Sequence, residues 1–133
     1  DAEPRGGRPV SQDSMFVVAP LAYRDDEGVA LNDAEKPRLL ADLGDKRFLM
    51  LRNHGLLTVG HSVADAFVSM YLFETTRMIQ VRAQAGGEPS LIADAIVAGA
   101  QDQWRKVTRG AGGDLAWPAL LRRLDRVAPD YAS

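Results

Sequence analysis

The sequence contains no cysteine among its 133 residues. Disulfide bonds, thiolate nucleophiles and cysteine-ligated zinc sites are therefore excluded for this chain. Histidine is scarce as well, since His54 and His61 are the two that the sequence holds. Two imidazoles leave few ways to build a metal site or an acid–base pair from this chain alone.

An excess of charge of one sign is also missing. The chain carries 16 basic and 18 acidic residues, a formal net charge of -2, without the basic excess that attracts nucleic acid or an anionic membrane. No apolar run approaches the roughly 18 residues of a spanning helix. The polar start, DAEPRGG, lacks the apolar region of a signal peptide. We therefore expect no nucleic-acid partner, no membrane partner and a cytoplasmic location.

The composition that remains is typical of a globular domain. Hydrophobic residues make up 46% and charged residues 26% of the chain, and the length fits one domain or part of a larger one. Residues 1–9 are rich in Gly, Pro and Arg and predict a loop or disordered arm before the domain portion at 10–133. Because the first residue is Asp rather than Met, we expect a piece of a longer protein.

Short apolar runs predict two strands around a polar turn. Phe48–Leu51 is continuously apolar and predicts a buried strand, and residues 56–60 predict a second one. The polar residues 52–55 between them predict a hairpin or a kinked strand with His54 at the bend. Residues 15–23 predict a short strand or a helix end, with Pro20 arguing against a central strand.

The rest of the chain predicts helices. They cover about 32–43 with a glycine cap at Gly44, 62–85, 91–107 and 117–127, with a flexible linker at 109–113. With two strands followed by helices, the chain looks like the second half of an α/β domain.

The longest predicted helix carries an apolar stripe that includes one acid, Glu74. The stripe comprises Val63, Phe67, Met70, Tyr71, Met78 and Val81. Glu74 is interpreted as a carboxylate held by a neighbour such as Arg77, three residues on; a catalytic role, alone or with His54, is the alternative.

His54 is the candidate functional residue. It sits at a strand end, where a loop can aim an imidazole rigidly, and Gly55 lets a ligand approach closely. A neutral imidazole is the commonest protein ligand of zinc. A lone histidine is also consistent with a hydrogen-bonded structural role, and the residues alone leave both readings open.

Residues 51–60, LRNHGLLTVG, resemble the strand–turn–strand signature of the class II aldolase/adducin family. The resemblance spans most of 10–127 and includes the segments VSQD at 10–13, YRDDEG at 23–28, LGDK at 43–46, SVADAF at 62–67, YLFE at 71–74, RMIQ at 77–80 and WPALLRRLDR at 117–126. It implies an α/β/α three-layer sandwich with a mainly antiparallel sheet. It also implies divalent-metal, typically zinc, dependent aldolases or epimerases acting on small sugars and related hydroxy-carbonyl compounds.

In this family a His-x-His pair and a later histidine hold the metal, and His54 matches the later one. The resemblance further implies a homo-oligomer, commonly a tetramer. The sequence departs from the pattern because it contains no His-x-His, and no residue matches the upstream catalytic Glu. The first hypothesis is therefore the C-terminal half of such an enzyme, inactive as an isolated chain. The alternative is an adducin-like binding or oligomerisation module without chemistry.

Overall fold

The computed structural model describes residues 6–25 and 33–132. Within these ranges the chain forms helices, a three-stranded sheet and two short 3-10 segments. The elements are α1 (Gln12–Val18), β1 (Leu21–Arg24), α2 (Glu35–Leu43), β2 (Phe48–Leu51), β3 (Gly55–Thr58), α3 (Val63–Ala85), α4 (Asp94–Ala98), α5 (Ala100–Val107), a 3-10 turn (Gly112–Leu115), α6 (Trp117–Val127) and a final 3-10 turn (Pro129–Ala132).

The sheet runs in the order β1-β2-β3. β1 pairs parallel with β2, with Leu21 opposite Phe48, and β2 pairs antiparallel with β3. The described strands are therefore mixed, with one parallel and one antiparallel pair. β1 begins directly after Pro20, where the missing N–H removes nothing from the ladder.

The helices cover both faces of the sheet. On one face α1 and α3 bury a core of Val17, Phe48 and Phe73, against which Leu21, Met50, Leu56 and Leu72 pack. On the other face α2 packs on β1 and β2. Alternate side chains of a strand point to opposite faces, so Arg24 lies on the α2 side. The α/β class and the α/β/α layering implied by the sequence are thereby confirmed.

The predicted hairpin and several helix ends are confirmed. Ser62 caps α3 by accepting a hydrogen bond from Asp65 N at 3.0 Å, as a capping residue should. Gly44 ends α2 with φ at 56°, a left-handed conformation that glycine adopts without strain. α6 has the predicted bounds. The predicted start of α2, at residue 32, lies outside the described residues.

Two predictions about the second half are wrong. The single helix predicted for 91–107 is two helices separated at Gly99, whose N–H bonds back to Ile96 O at 3.2 Å and tightens the turn there. The predicted linker is packed rather than free. Gly113 is buried, its N–H donates to Asp65 Oδ1 at 3.1 Å, and an added Cβ would lie 2.4 Å from Ala64 O.

The apolar stripe of α3 does not mark its buried face. The buried side chains of α3 are small or polar apart from one: Ala64, Asp65, Ser69, Phe73, Thr76 and Gln80. Val63, Tyr71 and Val81 are instead 77%, 65% and 67% exposed. Four polar side chains of the helix, at 65, 69, 76 and 80, are therefore buried, and neighbouring segments hydrogen-bond three of them, at 65, 69 and 80.

Candidate functional site

His54 lies in the turn that joins β2 to β3. Its backbone N–H donates to Leu51 O at 3.1 Å, and Asn53 takes the left-handed conformation, with φ at 57°. Asparagine is among the few residues that tolerate this conformation. The turn thus holds an exposed His54 at the edge where β2 ends.

The end of β1 reaches the same edge, because β1 and β2 are parallel. Arg52 of the turn forms an ion pair with Asp25, directly after β1. Its guanidinium carbon also lies 5.6 Å from the centre of the Tyr23 ring, within cation–π range. Arg52 N donates to Arg24 O at 2.9 Å. These contacts fix the base of the His54 turn to β1.

A buried arginine lies beneath this edge. Arg24 is 5% exposed and its guanidinium bonds Asp42 Oδ2 at 2.5 Å, with Glu35 Oε1 at 3.7 Å. Both carboxylates belong to α2, so this cation ties α2 to the end of β1. Arg24 and Arg52 are each paired with carboxylates, so the cations beneath the His54 turn are balanced by anions.

The metal ligands expected from the resemblance are not brought together here. Within residues 6–25 and 33–132 no group of three His, Cys, Asp or Glu side chains is placed to hold an ion. His61, the other histidine, follows the opposite end of β3 from His54. Within the same ranges the His54 imidazole forms no hydrogen bond or ion pair, so both ring nitrogens remain available. A closed zinc site needs about four ligands, and the described residues fit a metal only as the source of one.

Glu74 and Arg77 do not pair as expected. Glu74 is exposed, and in the part of the chain that the structure describes it forms no ion pair. Arg77 instead points inward, where its Nε, Nη1 and Nη2 are buried without a hydrogen bond. Burial lowers the pKa of the Arg77 guanidinium, and the nearby Tyr23 raises it to a lesser extent. An acid–base pair of Glu74 with His54 is not formed among these residues.

Sequence reasoning did not single out the setting of Arg77. A lone arginine on a helix normally indicates a solvated surface, and the reversed faces of α3 conceal that position 77 points inward. The available signal was position: Arg77 follows Phe73 by four residues and precedes Gln80 by three, which puts all three on one helix face.

A second polar region lies at the other end of α3. A cavity of about 300 Å³ is lined by residues that include Arg47, His61, Asp65, Trp104, Arg105 and Asp114. Asp65 accepts hydrogen bonds from Arg47 Nη2 at 2.7 Å, Gly113 N at 3.1 Å and His61 N at 3.3 Å. These bonds are internal to the protein, so the region joins the start of α3 to β2 and to the 3-10 turn.

The comparisons with known proteins agree with this architecture. The family described as Class II Aldolase and Adducin N-terminal domain matches residues 3–81. A crystal structure of an aldolase II superfamily protein from Pseudomonas syringae superposes with a TM-score of 0.84 at 39% identity, covering 99% of this chain and 53% of that one. The fold and the matched residues define this chain as a member of the class II aldolase/adducin family.

Individual relatives include bacterial and animal proteins. A Pseudomonas aeruginosa protein whose name places it in aldolase class 2 is 51% identical over 131 residues, which are 96% of this chain and 51% of that protein. Alpha-adducin of Rattus norvegicus is 32% identical over 132 residues, covering 90% of this chain and 18% of the relative. The chain thus spans about half the length of the bacterial relative.

None of the helices in the described ranges has both the length and the hydropathy needed to cross a membrane.

Proposed function

We propose that this chain is the C-terminal half of a divalent-metal-dependent aldolase or epimerase, with zinc as the metal and His54 as one of its ligands. The substrate is a small sugar or a related hydroxy-carbonyl compound. The observation that carries the proposal is the His54 turn, with an exposed imidazole that no described group engages, in a segment that matches the family's Asn-His-Gly motif. On this proposal the isolated chain has no activity.

The described residues contribute orientation rather than a complete reaction centre. In enzymes of this kind a divalent metal acts as a Lewis acid on a substrate carbonyl. The ion pair between Arg52 and Asp25 and the left-handed Asn53 hold His54 at the strand end. A side chain held on a rigid turn loses less conformational freedom when it binds a metal. The His54 turn therefore suits one metal ligand, with other residues supplying the remaining ligands.

The first prediction concerns metal content. His54→Ala should remove bound zinc from the protein at its natural length while leaving the fold intact, because the side chain is exposed and forms no described hydrogen bond. Loss of one ligand from a three-ligand site should weaken zinc binding by at least about 100-fold. The measurement is metal content by mass spectrometry, with circular dichroism as the check on folding.

His61→Ala is the matched control, since it removes the second imidazole at the opposite end of β3. Zinc should stay in that variant. If His54→Ala retains zinc at the wild-type level, the assignment of His54 as a ligand is wrong. If both variants lose zinc to the same degree, the effect does not belong to the His54 turn and the assignment fails as well.

An alternative function is an adducin-like binding or oligomerisation module without chemistry. The exposed apolar face of α3 favours it. Residues 63, 67, 71, 78 and 81 are exposed and apolar, and Glu74 lies among them. With Glu74 included, the spacings are four, four, three, four and three, as in a helix that packs against another helix. Exposed apolar area of this extent marks an interaction surface. We propose that this face supports a homo-oligomer, a tetramer under the first hypothesis.

The prediction for this surface is a change of oligomeric state. Tyr71→Glu combined with Val81→Glu should yield monomers in light scattering coupled to size-exclusion chromatography, because a buried unpaired charge opposes association. Val107→Glu is the matched control, an apolar side chain 70% exposed on α5. The surface assignment is contradicted if the double variant keeps the wild-type mass, or if Val107→Glu dissociates the protein equally.

Two measurements distinguish the two functions: the metal content of the protein and then its self-association. Zinc bound through His54 supports the enzyme, whereas self-association through α3 without bound zinc supports the module. We also propose the cytoplasm as the compartment, which the cysteine-free sequence favours.

A further inference from the structure

Arg77 has a setting that the proposed function does not use. All three of its guanidinium nitrogens are buried and, within the described residues, form no hydrogen bond. Burying a charged group without a partner is costly, and such groups are normally paired. Guanidinium stays protonated in proteins, so the site holds a positive charge that a small anion would stabilise.

The Arg77 guanidinium is enclosed on two sides. Its guanidinium carbon lies 5.6 Å from the centre of the Phe73 ring. On another side the backbone comes close: a Cβ added at Gly7 would lie 2.8 Å from Nη1, 2.9 Å from Nη2 and 2.7 Å from Leu21 Cδ2. Only a residue without a side chain fits at Gly7. The backbone at Gly7 therefore fills the space beside Nη1 and Nη2, the edge at which a ligand would bind.

Residues 6–9, here called the strap, cover this edge of the guanidinium. The side chain of Gln80 holds the strap at two points: Nε2 donates to Gly6 O at 2.9 Å and Oε1 accepts from Arg8 N at 2.8 Å. Gly7 N donates to Tyr23 Oη at 2.6 Å. Arg8 pairs with Glu88, whose side chain is 78% exposed.

The strap is held by hydrogen bonds and one ion pair more than by apolar packing. It contains two glycines and one apolar side chain, that of Pro9. Its hydrogen bonds include a buried one to Gly6 O and one from Ile92 N to Pro9 O at 2.8 Å. Surface ion pairs contribute about 0–1 kcal/mol, and segments with few buried apolar contacts open locally most easily. Opening the strap uncovers the Arg77 guanidinium and the side of Leu21 that Gly7 contacts.

We propose that Arg77 is the anchor of a carboxylate-binding site covered by the strap. The ligand is a small carboxylic acid whose planar carboxylate accepts two hydrogen bonds from one edge of the guanidinium, the geometry that arginine favours. The strap moves aside when the ligand enters. Apparent affinity is therefore reduced by the fraction of molecules in which the strap is open.

Formate is the probe, because it is the smallest carboxylate. The melting temperature of the protein at its natural length is followed in sodium formate against sodium chloride at equal ionic strength. We expect formate to raise the melting temperature of the wild type by about 4 °C near saturation. Arg77→Gln should lose this shift, whereas Arg82→Gln, one exposed arginine exchanged on the same helix, should keep it.

Two further variants test the cover. Gly7→Ala introduces a Cβ too close to Leu21 and Arg77, so it should displace the strap and strengthen formate binding by roughly tenfold. Gln80→Ala removes two hydrogen bonds from the strap and should act in the same direction. Weaker formate binding in both variants would overturn the covering role of the strap.

The site itself is overturned by any of three results. Formate fails to shift the wild type; it shifts wild type and Arg77→Gln equally; or inorganic phosphate shifts the wild type while formate does not. The last result would mean a tetrahedral-anion site in place of the carboxylate site.

Discussion

Replacing Asp65 by alanine should lower the free energy of unfolding by about 3 kcal/mol. Asp65 is 5% exposed and accepts hydrogen bonds from Arg47 and from the backbone N–H groups of His61 and Gly113. The substitution leaves a largely buried arginine without its anion and two N–H groups without an acceptor. Breaking a buried pair from one side costs more than the pair itself contributes.

Three separate segments depend on this one carboxylate. Arg47 precedes β2, His61 precedes α3, and Gly113 belongs to the 3-10 turn after α5. Arg47 Nη2 also donates to Ser69 Oγ at 2.9 Å, and among the described residues its buried Nε has no hydrogen-bond partner. The side chain of Arg47 is 27% exposed, which places the expected loss at the lower end of the range for buried pairs.

Urea unfolding at neutral pH measures the Asp65 effect, with Asp65→Asn as the isosteric variant that removes the charge alone. Asp114→Ala is the control: that carboxylate is exposed and accepts from Ser62 Oγ at 2.8 Å. The control should lose about 1 kcal/mol or less. A loss below about 1 kcal/mol in the free energy of unfolding of Asp65→Ala would show that the carboxylate does not stabilise the contact of these three segments.

Phe73→Ala should cost about 3–5 kcal/mol. Phe73 is fully buried and meets Phe48 edge to face, with ring centres 5.4 Å apart. It is the one large apolar side chain that α3 buries completely, so no neighbouring residue of the helix can fill the space that it leaves. The free energy of unfolding, again from urea titration, checks the expected loss.

Two further variants serve as controls for this prediction: Phe73→Leu and Phe67→Ala. Leucine retains most of the apolar volume and should cost less than about 2 kcal/mol. Phe67 also faces an aromatic ring, that of Trp117 at 5.6 Å, but it is 51% exposed, so its removal should cost about 1 kcal/mol. Equal losses for Phe67→Ala and Phe73→Ala would contradict the assignment of the core.

The hairpin and its histidine were predictable because local signals agree there. Phe48–Leu51 is too short for a helix and continuously apolar, while residues 52–54 are polar and precede a glycine. The resulting turn contains His54, so the sequence also predicts which side chain stands at the strand end. The parallel partner β1 was less predictable, because a strand of four residues after a proline carries a weak pattern.

The buried face of α3 was not predictable from the apolar pattern. Hydrophobicity marks a buried face only where the partner surface is apolar, and here α3 meets backbone. The side chain of Gln80 forms hydrogen bonds with the backbone of residues 6 and 8. The side chain of Asp65 does so with the backbone of residues 61 and 113. Such pairings join residues as many as 74 positions apart, which no local pattern reports.

The setting of Arg77 was hidden for the same reason. Its burial depends on Gly7, seventy positions earlier, which brings backbone against the guanidinium. The separation of His54 from His61 was easier to anticipate, because the strand β3 stands between them. The residues that define the site were therefore visible in sequence wherever one hairpin contains them, and invisible where distant segments meet.

Helix α3 buries polar side chains and exposes apolar ones. This arrangement has a consequence for which substitutions the chain tolerates during evolution. Ser69, Thr76 and Gln80 are each held by fixed geometry, so few replacements preserve their role. The exposed apolar residues on the outer face need only remain apolar, so one apolar side chain can replace another there. In this helix we therefore expect the buried polar residues to vary less during evolution than the exposed hydrophobic residues.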